Sequence, residues 1–287
     1  MIYPIQRIIL RSILKSVEEA ILERNTLVPE IPGDKRLVLA PHVDDDFIGC
    51  GGMILQTVKN RKRVEIAYLT DSGKRGTGGD AAARSTERRK EAVNVAESTG
   101  IPPEHLHFLQ GVDGELFNSS IEEELSRLIR KMKPDAIFAP IFLDTHKDHI
   151  ACLEKLLYAI RKEPATFKDI KIYFYESQSP ITPKYSNIVL DITDFWKEKR
   201  RALQGYPSQG NDFAFVEVMN RVNGETFRKP YCEVFLKVSP EDLAEFQFSD
   251  SEELLRIRER LEPLRGPGSL LKAYKSSLRN KEGLEGF

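Results

Sequence analysis

Short apolar runs alternate with segments of helical periodicity through most of this chain, and this alternation constrains the fold more than any other feature. Residues 36–40 form the first such run, and the next segment, residues 51–60, looks helical. The strand-then-helix order recurs, as is typical of βαβ units, which build a mostly parallel sheet with helices on both faces. We therefore predict a Rossmann-like α/β fold. Further strands are predicted at residues 64–70, 105–109, 136–139, 170–175, 187–192 and 231–238, and further helices at 83–98, 122–132, 150–160 and 195–203.

The two ends of the chain depart from this alternation. Apolar residues recur at helical spacing over residues 4–24 and predict an amphipathic helix, which Pro29 and Pro32 separate from the first strand. From Pro240 onwards the chain is charged and helical, without residues that indicate chemistry. We predict an N-terminal helical extension at residues 1–34, an α/β domain at 35–239 and a C-terminal helical tail at 240–287.

Charge and hydropathy exclude several classes of protein. The 43 Lys and Arg residues balance 44 Asp and Glu residues, so the chain lacks the basic excess of a dedicated nucleic-acid binder. The longest clean apolar run, residues 136–143, is far shorter than the ~20 residues of a membrane span. Cys50, Cys152 and Cys232 lie far apart, which argues against a disulfide framework and favours a cytoplasmic setting. The sequence leaves open whether the chain forms a homo-oligomer.

Two clusters of histidine and aspartate directly follow two of the predicted strands. Residues 42–46 read His-Val-Asp-Asp-Asp, and residues 144–149 read Asp-Thr-His-Lys-Asp-His. Open parallel sheets bind ligands outside the carboxyl ends of their strands, where both clusters fall. His42, Asp45 and His149 together offer two imidazoles and one carboxylate, which suits a catalytic zinc ion or a ferrous ion. Taken separately, each cluster is also explained as a solvated turn that caps a helix.

These clusters resemble the signature motifs of the PIG-L/LmbE-like metal-dependent N-deacetylases. Residues 42–52, which contain Gly49, Gly51 and Gly52, resemble the HPDDE…GG motif, and residues 146–149 resemble the HPDH motif. Shorter similarities at residues 69–71, 88–92, 191–193 and 231–235 extend the resemblance across residues 35–238 in the family's order. The resemblance implies a Rossmann-like fold, one divalent metal ion, usually Zn²⁺, and hydrolysis of an N-acetyl group, commonly on N-acetylglucosamine.

The resemblance also implies roles for individual residues. The metal ligands would be His42, Asp45 and His149. Asp44 would be the general base, and its position next to Asp45 allows one turn to aim one carboxylate at the metal and the other at its water.

The second cluster would complete the catalytic group. By resemblance, His146 would stabilise the oxyanion or act as the acid, and Asp148 would orient it. Substrate contacts are expected from Asp46, Asp71 and Arg88. Asp46 stands where the family has glutamate, which weakens the expectation of a contact there, and the positions 43 and 147 carry Val and Lys instead of the family's prolines.

Two other functions account for part of the pattern. A nucleotide-sugar glycosyltransferase could use Asp44, Asp45 and Asp46 as an acidic metal-binding triplet, but it leaves the histidines unexplained. A sugar-binding module on the same scaffold would bind without turnover. We place substrate specificity in two predicted loops, residues 73–80 and 209–228.

Overall fold

The computed structural model describes residues 4–74, 80–181, 183–210, 212–245, 251–265 and 267–281. Its strands are β1 (Thr26–Val28), β2 (Lys35–Ala40), β3 (Arg63–Thr70), β4 (Leu106–Gly111), β5 (Ala136–Pro140), β6 (Lys171–Tyr175), β7 (Ile188–Asp191) and β8 (Cys232–Val238). Its α-helices are α1 (Pro4–Ser16), α2 (Glu18–Arg24), α3 (Asp45–Lys59), α4 (Ala81–Thr99), α5 (Glu122–Met132), α6 (Lys147–Lys162), α7 (Pro164–Phe167), α8 (Trp196–Leu203), α9 (Ala214–Glu225), α10 (Pro240–Glu245), α11 (Ser251–Arg260) and α12 (Leu270–Asn280).

The strands form one sheet in the order β1-β7-β8-β6-β5-β2-β3-β4. Strand β8 is antiparallel to both of its neighbours, and the other neighbouring pairs are parallel. From β2 the chain first adds β3 and β4 on one side, and it then adds β5 and β6 on the other. The winding direction therefore reverses between β2 and β5, and this is the position at which open α/β sheets bind ligands.

Side chains of the sheet alternate between two hydrophobic cores, one on each face. On β2, Val38 and Ala40 belong to the first core, whereas Leu37 and Leu39 belong to the second, as the period of two in a strand requires. Helices α3, α4, α8 and α9 cover the first core, and α5 and α6 cover the second. Central strands buried on both faces produce the continuous apolar runs seen in the sequence.

The predicted Rossmann-like α/β architecture is confirmed, and all seven predicted strands are present within two residues at each end. Helix α3 begins six residues earlier than predicted. The prediction excluded its first turns because glycine is a poor helix former, but these glycines are needed for close packing. A Cβ atom on Gly49 would lie 2.0 Å from Tyr175, and one on Gly52 would lie 2.3 Å from Ile192. Close approach of the helix to the sheet and to its neighbours thus overrides local propensity.

Three local expectations were wrong. The N-terminal helix is divided at Val17 into α1 and α2, and the three-residue edge strand β1 was not predicted. Residues 209–228 are not a loop, because α9 occupies most of them. Residues 75–79 of the other predicted loop lie outside the described residues. Within the part of the chain that the structure describes, no helix combines the length and apolarity needed to cross a membrane.

The C-terminal segment packs against both cores. Leu254 on α11 belongs to the second core, whereas Leu264, Leu270 and Tyr274 belong to the first. Between α11 and α12 the chain therefore crosses from one face of the sheet to the other. Pro263, in this crossing, lines the same cavity as residues at the carboxyl ends of β2 and β5.

Candidate metal centre and active site

The two clusters meet at the switch point of the sheet. His42 lies in the turn between β2 and α3, and His149 lies in the first turn of α6, which follows β5. The ring centroids of His42 and His149 are 5.8 Å apart, and that of His146 lies 4.5 Å from His42. One ring nitrogen from each of the three histidines fits within a span of 4.8 Å, so the side chains converge as donors to a metal ion would.

One carboxylate oxygen joins the two histidines that the sequence predicts as ligands. Asp45 Oδ2 lies 3.2 Å from His42 Nδ1 and 3.3 Å from His149 Nε2. Donor atoms around a tetrahedral zinc ion with bonds of ~2.0–2.2 Å lie about 3.3–3.5 Å from one another. The two distances to Asp45 are therefore compatible with coordination of a metal ion by these side chains.

The electrostatics of this group are those of a site with a large buried charge. Burial favours the neutral form of each side chain, but the opposite charges of its neighbours favour the charged form more strongly. The contacts with His149 and His42 lower the pKa of Asp45 well below its usual value despite burial. Burial is also outweighed at His149, where Asp45 and Asp144 raise the pKa to about 10. The same carboxylates would balance the charge of a bound divalent cation.

Polar side chains contact Asp45 and His149 from outside the donor group. Ser177 Oγ donates a hydrogen bond of 2.9 Å to Asp45 Oδ1. His149 Nδ1 lies 3.2 Å from Asp144 Oδ1, at an angle unsuited to a hydrogen bond. Such outer contacts orient ligands and tune their basicity.

The carboxylate of Asp148 contacts His42, whereas the sequence predicts that it orients His146. Asp148 Oδ2 lies 3.1 Å from His42 Nε2 and accepts a 2.6 Å hydrogen bond from the backbone N–H of Gly114. Asp113 Oδ1 lies 3.3 Å from the same His42 nitrogen. Two carboxylates therefore hold the side of His42 that faces away from Asp45.

His146 is held instead by the backbone. It is the N-cap residue of α6, and its Nδ1 accepts a 3.3 Å hydrogen bond from the N–H of Asp148. Burial, together with the positive charges of His42 and His149, lowers the pKa of His146 to about 4. At neutral pH this imidazole is uncharged, and the bond to Nδ1 places its proton on Nε2.

Asp44 has an unusual backbone conformation. Its φ is 118° and its ψ is −28°, a region that residues with a Cβ atom rarely adopt. The side chain is 4% exposed and lines the same cavity as His42, Asp45 and His149. Strain of this kind persists where the surrounding structure enforces it, and it is concentrated at functional sites.

The three residues predicted to contact the substrate differ in their position relative to the cavity. Arg88 lines the cavity. Asp46 does not: it is fully buried, it accepts a 2.8 Å hydrogen bond from Tyr68, and burial raises its pKa to about 7. Asp71 also lies outside the cavity lining, since its Oδ1 accepts bonds from the N–H groups of Gly73 and Asp113. Its carboxylate thus holds two loops together, and substrate contact by Asp46 and Asp71 stays a prediction.

The cavity has a volume of about 430 Å³, within the usual range for small-molecule sites. Sequence reasoning missed several residues that form it, because they lie far from both motifs. Asp113 comes from the loop after β4, Gln178 from the loop after β6, and Arg258 and Arg265 from the C-terminal segment. A single sequence offers no signal that brings these loops together.

Comparison with known proteins agrees with the site. Residues 37–160 match the model of the PIG-L family, described as GlcNAc-PI de-N-acetylase. Diacetylchitobiose deacetylase from Thermococcus kodakarensis is 26% identical over 196 residues, which cover 61% of this chain and 70% of the relative. The matched family segment contains both clusters.

Solved structures share the fold. N,N'-diacetylchitobiose deacetylase from Pyrococcus horikoshii is 22% identical, with a TM-score of 0.66 over 84% of this chain and 97% of that chain. The 4-carboxy-2-hydroxymuconate hydratase GalB from Pseudomonas putida is 20% identical, with a TM-score of 0.57 over 71% of this chain and 96% of that chain. Both the family model and the fold thus agree with the motifs at residues 42–46 and 146–149, which lie in the segment that is similar to the PIG-L/LmbE-like family.

Proposed function

We propose that this chain is a zinc-dependent hydrolase that removes the N-acetyl group from a small, N-acetylglucosamine-containing substrate. One observation carries the proposal: Asp45 Oδ2 lies between the nitrogens of His42 and His149, and Asp44 lines the same cavity. The similarity to a curated diacetylchitobiose deacetylase supports the sugar N-acetyl substrate class.

His42, Asp45 and His149 would hold the metal ion. When bound, a divalent zinc ion supplies a Lewis acid for the amide carbonyl and lowers the pKa of a bound water to about 7. The Asp148 carboxylate at His42 Nε2 would keep that ring oriented with Nδ1 towards Asp45.

Asp44 is the proposed general base. It adjoins the ligand Asp45 in sequence, is nearly buried and lines the cavity. A carboxylate in this place can take the proton of the attacking water and pass it to the departing amine.

His146 and Arg88 would act on the substrate. The neutral His146 can donate its Nε2 proton in a hydrogen bond to the oxyanion of the tetrahedral intermediate, with the backbone of Asp148 fixing the tautomer. Arg88 lines the cavity beside them and can bind a polar group of the sugar.

The test is to measure metal content and acetate release together. Purified protein loaded with Zn²⁺ should hold about one ion per chain and release acetate from N-acetylated sugars. His149→Ala should lose both the metal and the activity, because it removes a ligand. Asp44→Asn should keep the metal and lose turnover by ~10²–10⁴-fold, the typical contribution of a general base.

His105→Ala is the matched control, since His105 contacts the backbone oxygen of Val64 outside the cavity. It should retain both metal and activity. Metal that stays in His149→Ala would contradict the ligand assignment. Consumption of a sugar nucleotide without acetate release would favour the glycosyltransferase, and binding of N-acetyl sugars without any turnover would favour the binding module.

We also propose a reducing, cytoplasmic setting. Cys50, Cys152 and Cys232 are all free and buried, so none forms a disulfide within the chain. Thiol accessibility of the native protein with and without reductant tests this, and a disulfide between chains in the protein isolated without reductant would contradict it.

A further inference from the structure

The C-terminal segment forms part of the wall of the candidate active site. Arg258 on α11, and Pro263 and Arg265 in the crossing that follows, line the cavity together with His42 and His149. The matched family segment ends at residue 160, so these residues lie outside it.

Buried contacts fix this segment in place. The N–H of Leu264 donates a 2.8 Å hydrogen bond to the carbonyl of Gln178, which itself lines the cavity. Further along, the fully buried Lys281 donates a 2.9 Å hydrogen bond to the carbonyl of Pro180, and Tyr185 donates one of 2.6 Å to the carbonyl of Leu278. Anchors within the crossing and after it make this segment part of the fold and not a loose tail.

The charges of the cavity are divided between two groups of residues. The acidic ones, Asp44, Asp45 and Asp113, belong to the candidate metal centre. The basic ones are Lys74, Arg88, Lys147, Arg258 and Arg265. The cavity therefore combines an acidic metal centre with several cationic side chains.

Most of the basic side chains already have partners. Lys74 and Lys147 each lie 3.4 Å from Glu115, and Arg88 donates a hydrogen bond to the carbonyl of Ser72.

The two C-terminal arginines differ from the others. Among the described residues, the guanidinium groups of Arg258 and Arg265 have no acidic partner. The Nε atom of Arg258 is also buried without a hydrogen bond, as is that of Arg88. A buried donor without an acceptor is costly, and a guanidinium group forms its strongest hydrogen bonds with phosphate or carboxylate.

We propose that Arg258 and Arg265 form an anion subsite, and that the substrate is an N-acetylated sugar carrying a phosphate or carboxylate. This inference rests on the proposed deacetylase function for the identity of the sugar. The acidic group would lie against the C-terminal segment while the N-acetyl group lies at the metal centre, so one cavity would recognise both ends of the molecule.

The test compares neutral and acidic substrates of the zinc-loaded, full-length protein. The neutral probe is N-acetylglucosamine, and the acidic probes are its 1-phosphate, its 6-phosphate and N-acetylmuramic acid, which separate phosphate from carboxylate. We expect kcat/KM to be at least 10-fold higher for one acidic probe than for the neutral one. The Arg258→Gln/Arg265→Gln double variant should lower kcat/KM for that probe at least 10-fold more than for N-acetylglucosamine.

Arg260→Gln is the matched control, because Arg260 lies on the same helix outside the cavity lining and is exposed. It should leave the preference for the acidic probe unchanged. Equal losses on neutral and acidic probes in the double variant would overturn the subsite, as would the absence of any preference for an acidic probe in the wild-type protein.

Equilibrium binding separates this inference from the proposed function. Calorimetric titration with the same probes needs no turnover. If the double variant weakens binding of an acidic probe but no probe releases acetate, the subsite stands and the deacetylase proposal fails. If acetate is released and the double variant binds the acidic probes as the wild type does, the subsite is overturned and the deacetylase proposal stands.

Discussion

The backbone of Asp44 leads to a prediction that sets stability against activity. With φ at 118°, this residue occupies a conformation that costs ~1–3 kcal/mol for a side chain with a Cβ atom. Asp44→Gly removes that cost, but glycine gains freedom in the unfolded chain, which offsets ~0.5–1 kcal/mol. We expect a net gain of about 1 kcal/mol in the free energy of unfolding relative to a variant that keeps the Cβ atom.

Asp44→Asn is the appropriate reference because it removes the negative charge, as glycine does, but retains the side chain and its strain. Urea denaturation of the two metal-free variants gives the difference directly. A gain of this size also raises the thermal midpoint by ~2–4 °C. Both variants should lack turnover, so a more stable protein would be a less active one. If Asp44→Gly proves no more stable than Asp44→Asn, position 44 is not strained and the reasoning is refuted.

Three further predictions concern buried charges. Lys199→Met should destabilise the fold by ~3–5 kcal/mol in urea denaturation. Lys199 Nζ lies 2.7 Å from the fully buried Glu233, and the variant leaves that carboxylate without a counter-ion. Adding Glu233→Gln to the same chain should restore part of the lost stability. Burial lowers the pKa of Lys281 from 10.5 to about 8, so between these values the unfolded chain binds a proton that the folded chain does not. The free energy of unfolding should therefore rise with pH across this window by up to about 3 kcal/mol relative to Lys281→Met, and parallel pH profiles would contradict the burial argument. Asp148→Asn, beside His42, should weaken zinc binding ~10–100-fold in chelator competition, and unchanged affinity would remove its orienting role.

Local patterns were sufficient for the centre of the fold. Strands β2 and β5 are buried on both faces, so their sequences are continuously apolar and stand out from their surroundings. Strand β1 has only three residues, two of them exposed, and it forms through parallel pairing with β7. No local pattern distinguishes such an edge strand from a loop.

Helix α9 was also missed, because its segment was predicted to be a loop. Its sequence contains valines, asparagines and a glycine, which favour a helix weakly, so the segment resembles a loop. Val216 and Met219 are nevertheless buried in the first core, and Asn220 Nδ2 donates to the carbonyl of Cys232. Tertiary packing therefore decides its conformation.

The candidate site was predictable only in part, because contacts between distant parts of the chain complete it. His42 and Asp45 lie within one turn, and His149 lies in the first turn of the helix that follows β5, a strand that neighbours β2, so the strand-end rule brings them together. The partner of Asp148 was not predictable, because the choice between His42 and His146 depends on the angle between two loops. Arg258 and Arg265 lie on α11 and in the crossing that follows it, far along the chain from both motifs.

The two motifs and the C-terminal segment bear on different properties of the protein, the reaction and the choice of substrate. The motifs at residues 42–46 and 146–149 lie in the segment that matches the family model, and they contain the residues proposed to hold the metal and act on the amide. A hydratase has the same fold at a TM-score of 0.57, so the sheet alone does not determine the reaction. The C-terminal segment lies outside the matched region, yet it supplies two cationic side chains to the same cavity. Because the acetyl group is common to many sugars, discrimination between them must depend on contacts further from the metal centre. In this chain those contacts include Arg258 and Arg265, so substrates should be sought among acidic N-acetyl sugars before neutral ones.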